Sequence, residues 1–360
     1  MPTSIEDAHF LTQAFLQAKR RKGFTAPNPA VGAVVVKEGH IIATGTHWLA
    51  GEAHAEVAAL AQLPMGVAMG ATLYVTLEPC CHTGKTPPCV DAIMQAGVKR
   101  VVFSETDPNP LVAGKGAARL AASDIVCQQL SVMEIEQFYG SYRYLLQSGM
   151  PWLCGKLAMT LDGKTAGING QTLAITGQAA QLFTHQQRLK HEAILTSVKT
   201  IQQDNPQLNV RLADSDAIAK PLIILDAHAT LALEAKVWRT TSRLYIVHGK
   251  MANPARLALL KAQGAMLIAV PLDHSGHLDL TISLAALGEL GFHDLWLEAG
   301  GRLFKSFAKL GLLNEAYCYI APWWAGADAH AAFTSAHFFK DATRHHWLPL
   351  GDDIALHLEF

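Results

Sequence analysis

The chain has 360 residues, of which 50% are hydrophobic and 16% are charged, and its formal net charge is -1. This length predicts about two domains, and the composition excludes a disordered chain. A protein that grips nucleic acid by its phosphates usually carries a basic surplus, which this chain lacks overall. With no signal-peptide pattern and no apolar run near the ~18–20 residues of a membrane span, we expect a cytoplasmic protein without a membrane partner.

The first half of the chain alternates between helices and strands. A helix is predicted over residues 5–20, where apolar side chains recur at helical spacing and basic residues precede Gly23. Further helices are predicted at 54–63 and after Pro87 and Pro88, and strands at 30–36, 40–45, 71–77 and 98–104. This order favours an α/β sandwich with helices on both faces of the sheet.

The pattern restarts after a helical stretch at 132–146, which ends in the turn-like sequence SGMP at 148–151. We therefore predict two domains, 1–147 and 148–360. Strands of the second domain are predicted within WLCGKLAMTLDG and at 221–227, 243–249, 265–270, 293–301 and 314–322, with helical segments between several of them. The second half is thus also expected to be an α/β domain.

Three short pieces of the first half carry a metal-site pattern: the sequence His54-Ala55-Glu56, Cys80 after a proline, and Cys89. A catalytic zinc ion takes three protein ligands and keeps a fourth position for water, and one imidazole with two thiolates meets that need. Glu56 follows His54 closely enough to reach the same pocket, where a carboxylate can move a proton from water to a leaving amine. The residues therefore predict a zinc-dependent deaminase acting on a heterocyclic base, with Glu56 as its catalytic residue.

The cysteine spacing leaves one alternative open. Nucleic-acid deaminases carry H-x-E followed by P-C-x-x-C, whereas this chain has PCCHTGKTPPC. Cys81 or His82 could therefore replace a ligand, although the strand-Pro-Cys order favours Cys80. A purely structural zinc site is disfavoured, because such a site has four protein ligands and no neighbouring base.

The stretches TAPNPAVGAVV, GEAHAEVAAL, TLYVTLEPCCHTGKTPPCVDAI and TDPNPLVAGKG, spanning about 24–116, resemble the deaminase half of the bifunctional riboflavin-biosynthesis deaminase/reductase family. The resemblance implies a cytidine-deaminase-like α/β/α sandwich that deaminates 2,5-diamino-6-ribosylamino-pyrimidinone 5'-phosphate. It also implies that Asn28 helps to hold the pyrimidine, and that His82, Lys85 and Thr86 lie near the phosphate or ribose. Cys81 stands where serine is frequent in the family, and Lys85 where arginine is frequent.

The stretches KLAMTLDGKTA, HEAILTSVKTIQQDNPQLNVR and WLEAGGRL resemble the reductase half of the same family. This implies a dihydrofolate-reductase-like domain that reduces the ribosyl chain to ribityl with NADPH, in a homodimeric protein. The positions that match cofactor contacts are Ala158, Ala174, Thr200, Asp204, Ala227, Gly300 and Gly301. The positions that match substrate contacts are Thr172, Arg188, Leu208, Arg211 and Glu298.

The second half departs from the family pattern at three places. Ala174 replaces a usual tryptophan, the sequence SVKT replaces a glycine-containing loop, and Ala227 stands where serine is frequent. The favoured hypothesis is a bifunctional enzyme, and the alternative is a deaminase with a non-catalytic carboxy-terminal domain for assembly or substrate binding. A nucleic-acid-editing deaminase is disfavoured by the neutral charge and the long cysteine loop.

Overall fold

The computed structural model describes residues 4–83, 86–110, 112–213, 216–333 and 342–360. The chain divides into two compact units, Met1–Gly149 and Met150–Phe360. Within the described ranges, no helix is both long and apolar enough to cross a membrane. The α/β class predicted for both halves is confirmed.

Unit 1 is built on a five-stranded sheet. Its strands are β1 (Gly32–Lys37), β2 (His40–Thr46), β3 (Thr72–Leu77), β4 (Arg100–Glu105) and β5 (Val126–Gln129), in the order β2-β1-β3-β4-β5. β1 is antiparallel to β2 and β3, whereas β3, β4 and β5 are parallel. The carboxyl ends of β3 and β4 therefore meet at one edge of the sheet, which is where open α/β sheets usually bind ligands.

Helices cover both faces of this sheet, as the sequence predicts. They are α1 (Ser4–Lys19), α2 (Ala55–Leu60), α3 (Cys89–Gln95), α4 (Lys115–Ala121), α5 (Met133–Phe138) and α6 (Gly140–Ser148). Side chains of β1 alternate between two cores: Val34 packs with α1, and Val35 packs with α2 and α3 on the opposite face.

One helix prediction of the first half needs correction. The stretch 132–146 is not one helix, because the chain turns at Tyr139, whose φ of -90° and ψ of 6° leave the helical region. The buried Tyr139 hydroxyl donates to the carbonyl oxygen of Ala30 at 2.9 Å and shares a hydrogen bond of 2.6 Å with Thr76. We attribute the break to these tertiary contacts, which periodicity does not reveal.

Unit 2 contains a nine-stranded sheet in the order β11-β10-β9-β8-β12-β6-β13-β16-β15. Its strands are β6 (Trp152–Thr160), β8 (Ala193–Ser197), β9 (Leu222–Leu225), β10 (Leu244–Gly249), β11 (Met266–Val270), β12 (Asp294–Glu298), β13 (Glu315–Ala321), β15 (Arg344–Leu350) and β16 (Asp353–Glu359); β7 (Lys164–Ala166) and β14 (His330–Ala331) form a separate ribbon. The sheet is parallel from β11 to β13, whereas β16 is antiparallel to β13 and β15.

The helices of unit 2 pack against both faces of this sheet. They are α7 (Gln178–Lys190), α8 (Val198–Asp204), α9 (Val237–Thr240), α10 (Pro254–Ala262), α11 (Leu280–Glu289) and α12 (Gly301–Lys309), with a 3-10 turn at Ile168–Gly170. Ile194 and Leu195, neighbours on β8, face two different apolar clusters. The strand predicted at 293–301 ends earlier, at Glu298, because the chain leaves the sheet and starts α12 at Gly301.

Candidate active sites

Three candidate zinc ligands meet in unit 1. The Nδ1 atom of His54 lies 3.2 Å from the sulfur of Cys89 and 3.5 Å from the sulfur of Cys80, and the two sulfurs are 3.4 Å apart. A tetrahedral zinc ion with Zn–S of ~2.3 Å and Zn–N of ~2.0 Å requires edges of roughly 3.8 Å and 3.5 Å. The donor set and the size of this triangle therefore fit zinc with a small expansion.

Each ligand stands at an element boundary on the same side of the sheet. His54 is the residue before α2, Cys80 follows β3, and Cys89 begins α3. The backbone N–H of Cys89 also donates to the sulfur of Cys80 at 3.4 Å. The Cys89 thiol, then His54 and this backbone hydrogen bond, lower the pKa of Cys80 against the opposing effect of burial, so the thiolate needed for metal binding is favoured.

Glu78 holds the cysteine-bearing loop in place. Its carboxylate accepts hydrogen bonds from the backbone N–H groups of Gly114 (2.9 Å) and Ala117 (3.0 Å), at the start of α4. A helix N-terminus favours a negative charge there. Gly116 makes the close approach possible, since a Cβ at this position would lie 1.9 Å from the carbonyl oxygen of Pro79. The loop before Cys80 is thus anchored without the metal.

Glu56 is buried, with only 3% of its surface exposed, at the start of α2. Burial, followed by the charge of Cys80, raises its pKa to about 7. A carboxyl group with this pKa can take up and release a proton near neutral pH.

Glu56 lines a cavity of about 240 Å³ together with His54 and Cys80. Asn28, His82 and Thr86, which were predicted to contact substrate, line the same cavity. Thr86 Oγ1 lies 3.4 Å from the Nε2 atom of His54. Lys85, the fourth predicted contact, lies outside the described residues.

The alternative ligand positions lie elsewhere. The side chain of Cys81 packs against the apolar core below the sheet, and His82 lines the cavity without joining the group formed by His54, Cys80 and Cys89. The geometry therefore favours Cys80 over both alternatives as the second ligand.

His47 and Asp107 line the cavity but escaped the sequence interpretation. Nδ1 of His47 lies 3.1 Å from the carbonyl oxygen of Ala53, so this nitrogen carries the proton and Nε2 accepts from the Asn28 amide at 3.1 Å. The amide orientation of Asn28 is thereby fixed. Asp107 follows β4, and burial raises its pKa to about 6. His47 occurs in no recognisable motif, whereas Asp107 stands in TDPNP, where turn chemistry hides it.

The second candidate site lies at the carboxyl ends of the parallel strands of unit 2. Arg188 on α7 donates two hydrogen bonds to Glu298, of 2.5 and 2.8 Å, and a third of 2.7 Å to the carbonyl oxygen of Asn209. Burial alone would raise the pKa of Glu298, but Arg188 and Lys156 lower it to about 2. The sequence interpretation brought Arg188 and Glu298 forward separately and missed their pairing.

Lys156 is the second residue that was missed here. It lies opposite Glu298 on the neighbouring parallel strand, with its ammonium 5.3 Å from the ring centre of Tyr319. Burial lowers its pKa, and Glu298 partly opposes that shift. The signal in the sequence was a lone lysine within the apolar strand WLCGKLAMT.

Two predicted substrate residues flank this ion pair. The side chain of Arg211 donates to Asn209 and Gln207, and its backbone N–H donates to His185. Burial and the nearby arginines lower the pKa of His185 to about 4, so His185 is neutral at pH 7. Leu208 has a positive φ of 46° and its side chain lies in the apolar core, which leaves only its backbone for a ligand.

The predicted cofactor positions lie on several loops of unit 2. Thr200 lies on α8, whose first turn is capped by Ser197, and Asp204 at the end of α8 accepts a 2.5 Å hydrogen bond from Thr172. Gly300 and Gly301 form the start of α12, with open space beside Gly300. Ala158 lies on β6, Ala174 is exposed, and Ala227 follows β9.

Family models match both halves of the chain. The model of the cytidine and deoxycytidylate deaminase zinc-binding region matches residues 4–105, and the model of the RibD C-terminal domain matches residues 151–356. Fold and site together thus define a two-domain enzyme that joins a deaminase to a reductase.

Curated relatives and solved structures specify the family. The riboflavin biosynthesis protein RibD of Escherichia coli is 36% identical over 371 residues, covering 98% of this chain and 99% of its own length. The solved structure of Acinetobacter baumannii RibD is 34% identical with a TM-score of 0.85, and a Thermotoga maritima diaminohydroxyphosphoribosylaminopyrimidine deaminase/5-amino-6-(5-phosphoribosylamino)uracil reductase is 27% identical with a TM-score of 0.80. Each alignment covers 99% of both chains. The chain belongs to the RibD family of riboflavin biosynthesis enzymes.

Proposed function

We propose that this chain catalyses two successive steps of riboflavin biosynthesis. Residues 1–147 deaminate 2,5-diamino-6-ribosylamino-pyrimidinone 5'-phosphate with the help of zinc, and residues 148–360 reduce its ribosyl chain to ribityl with NADPH. The observation that carries the first step is the meeting of His54, Cys80 and Cys89 beside the cavity that Glu56 lines together with His54 and Cys80. Full-length similarity to RibD proteins supports both steps and argues against a non-catalytic second domain.

In the deaminase step, His54, Cys80 and Cys89 hold the metal. Bound there, zinc supplies Lewis-acid activation of water near neutral pH. Glu56 takes one proton from the attacking water and delivers it to the ring nitrogen, and it then passes the second proton, from the new hydroxyl group, to the departing ammonia. Because Glu56 lines the same cavity as His54 and Cys80, this one side chain can carry both protons.

Substrate orientation in this cavity follows from the chain of hydrogen bonds behind Asn28. With its amide N–H₂ directed to His47, Asn28 presents its carbonyl oxygen as an acceptor for an N–H of the pyrimidine. His82 and Thr86 stand at the same cavity for the ribose or phosphate, and Lys85 is proposed for the phosphate from the family resemblance alone.

In the reductase step, NADPH supplies the hydride. Glu298 accepts hydrogen bonds from the ribose hydroxyls, while Lys156 beside it can donate a proton to the ring oxygen as the sugar opens. Three of the five N–H groups of Arg188 are used within the protein, so Arg211 is the more available partner for the substrate phosphate.

The residues present fit a dinucleotide at the start of α12. The open space beside Gly300 lets a phosphate approach the first backbone N–H groups of a nine-residue helix. Thr200 and Asp204 on α8, together with Thr172, Ala158, Ala174 and Ala227, are the remaining proposed contacts to cofactor or substrate. The small side chain at position 174 replaces a ring that would pack on the cofactor, so we expect weak NADPH binding.

The test is to give the zinc-loaded protein the diaminopyrimidinone substrate and to follow ammonia release and NADPH oxidation together. We expect equal amounts of both, and loss of both when zinc is chelated. Ammonia release without NADPH oxidation would contradict the reductase proposal. If the chelated protein oxidises NADPH again once the deaminated product is added, the reductase half works independently of the deaminase half. The implied homodimer is a further prediction, checked by light scattering.

A further inference from the structure

A second group of metal-binding side chains lies at one edge of the nine-stranded sheet. In the part of the chain that the structure describes, His346, His357 and Glu359 bring ligand atoms within 4.8 Å of one another. The strand pairing accounts for their proximity. His346 and His357 are direct partners across β15 and β16, and Glu359 lies two residues further along β16, on the same face.

The orientation of the His357 ring is set by Glu315 on β13. The Nε2 atom of His357 lies 3.2 Å from Glu315 Oε2, and its Nδ1 atom lies 2.7 Å from Nε2 of His346. Since a carboxylate only accepts, Nε2 carries the proton and the lone pair on Nδ1 faces His346. The ring of Tyr317 stacks on this imidazole at 4.3 Å and 14°, which fixes its plane.

This arrangement matches the support that proteins give to metal-binding histidines. A ligating histidine commonly donates its far N–H to a carboxylate, which fixes the tautomer and aims the lone pair at the metal. Here Glu315 supplies that carboxylate, and it is itself held by the indole N–H of Trp152 at 3.1 Å. The chain of hydrogen bonds from Trp152 to His357 therefore directs the Nδ1 lone pair of His357 toward Nε2 of His346.

We propose that Nε2 of His346, Nδ1 of His357 and the carboxylate of Glu359 bind a divalent transition-metal ion, with zinc the best match. Two imidazoles and one carboxylate are ligands that zinc and its first-row neighbours accept. Two nitrogens of a tetrahedral zinc site are roughly 3.3 Å apart, whereas these two lie 2.7 Å apart, so the rings must separate by about 0.6 Å to admit the metal. His346 is exposed on the edge strand, where its ring can move outward.

At this sheet edge, metal binding would replace the hydrogen bond between His346 and His357 with bonds from both imidazoles to the metal. Without metal, a proton on Nε2 of His346 forms the hydrogen bond to His357, and this proton leaves as the metal enters. Arg344 lies 3.8 Å from Glu359 and is 72% exposed, so it competes only weakly for the carboxylate. The bound ion would tie edge strand β15 to β16, and it is separate from the candidate zinc site of unit 1.

The first test counts zinc in tag-free, full-length protein after equilibration with zinc and removal of the excess. We expect His346→Gln to bind one equivalent less than the wild-type chain. His345→Gln is the matched control, because His345 is also exposed on β15 but points to the opposite face. Glu315→Gln should weaken binding of this equivalent about 10- to 100-fold.

Cobalt spectroscopy separates this site from the cysteine site. The candidate site in unit 1 has two thiolates and would give sulfur-to-cobalt absorption, whereas the proposed site has none. We therefore expect His346→Gln to lose one cobalt equivalent while the sulfur band and ammonia release are unchanged. Equal metal content in the wild-type and His346→Gln proteins, or equal loss in His345→Gln and His346→Gln, would overturn the proposal.

Discussion

The two candidate sites differ in how the chain builds them. In unit 1 the reactive groups are side chains within 36 residues of one another, from His54 to Cys89, and each stands at the start or end of an element. In unit 2, Lys156, Arg188 and Glu298 come from three distant segments, and much of the proposed cofactor contact is backbone. Local motifs therefore reveal the first site, whereas only the fold assembles the second.

The largest effect is expected when Glu56, the proposed proton carrier of unit 1, is replaced. Glu56→Gln should lower the rate of ammonia release about 10²- to 10⁴-fold, because the general acid–base step is lost. Zinc content should remain, since Glu56 is not among the three ligands. Glu52→Gln, an exposed acid on the preceding loop, is the control. Turnover near the wild-type rate in Glu56→Gln would refute the assignment.

Breaking the ion pair of Arg188 and Glu298 should lower the stability of unit 2 as well as the activity of the second site. Arg188→Met removes the hydrogen-bonded cation of the buried Glu298 carboxylate, leaving only Lys156 nearby, and should destabilise unit 2 by about 3–5 kcal/mol. Urea unfolding of unit 2 measures this change, and Arg239→Met, at an exposed position, should leave the transition in place. The double variant Arg188→Met/Glu298→Gln should recover much of the lost stability, and no recovery would mean that the unpaired charge is not the cause.

Acid should weaken the second site through the same carboxylate. The pKa of Glu298 is about 2 in the folded chain, below its ordinary value of 4.5. Its contribution is therefore fully present above about pH 4.5 and is lost as the pH falls toward 2. The shift corresponds to on the order of 3 kcal/mol, shared with Arg188. Glu298→Gln should flatten the pH dependence of the unfolding free energy in this window, and an unchanged slope would contradict the pairing.

The smallest expected effect concerns the helix that carries Thr200 and Asp204. Ser197→Ala removes the side chain that caps α8 and should cost about 1 kcal/mol. Because α8 carries proposed cofactor contacts, KM for NADPH should rise while ammonia release stays constant. Asn253→Ala removes the cap of α10 and is a matched control for stability. An equal rise of KM in both variants would show that α8 has no special part in cofactor binding.

The candidate zinc ligands and most strands could be predicted from the sequence because their signals are local. His54 and Glu56 are two residues apart, and apolar runs such as AVGAVVV can be recognised from a few consecutive residues. The break at Tyr139 and the hydrogen bond between Asn28 and His47 depend on residues far apart in the sequence, so no short stretch of sequence reveals them. The same holds for the pairing of Lys156 with Glu298 and for the histidine pair of β15 and β16.

The hydrogen bonds of Glu78 have a consequence for how unit 1 would take up a metal ion. This carboxylate ties the segment before Cys80 to the first turn of α4 by hydrogen bonds within the protein, so the position of this segment does not depend on a metal ion. Little ordering is then left for the binding step, and the apoprotein should keep its shape. We therefore expect that a metal ion could be removed from this site and returned without unfolding unit 1.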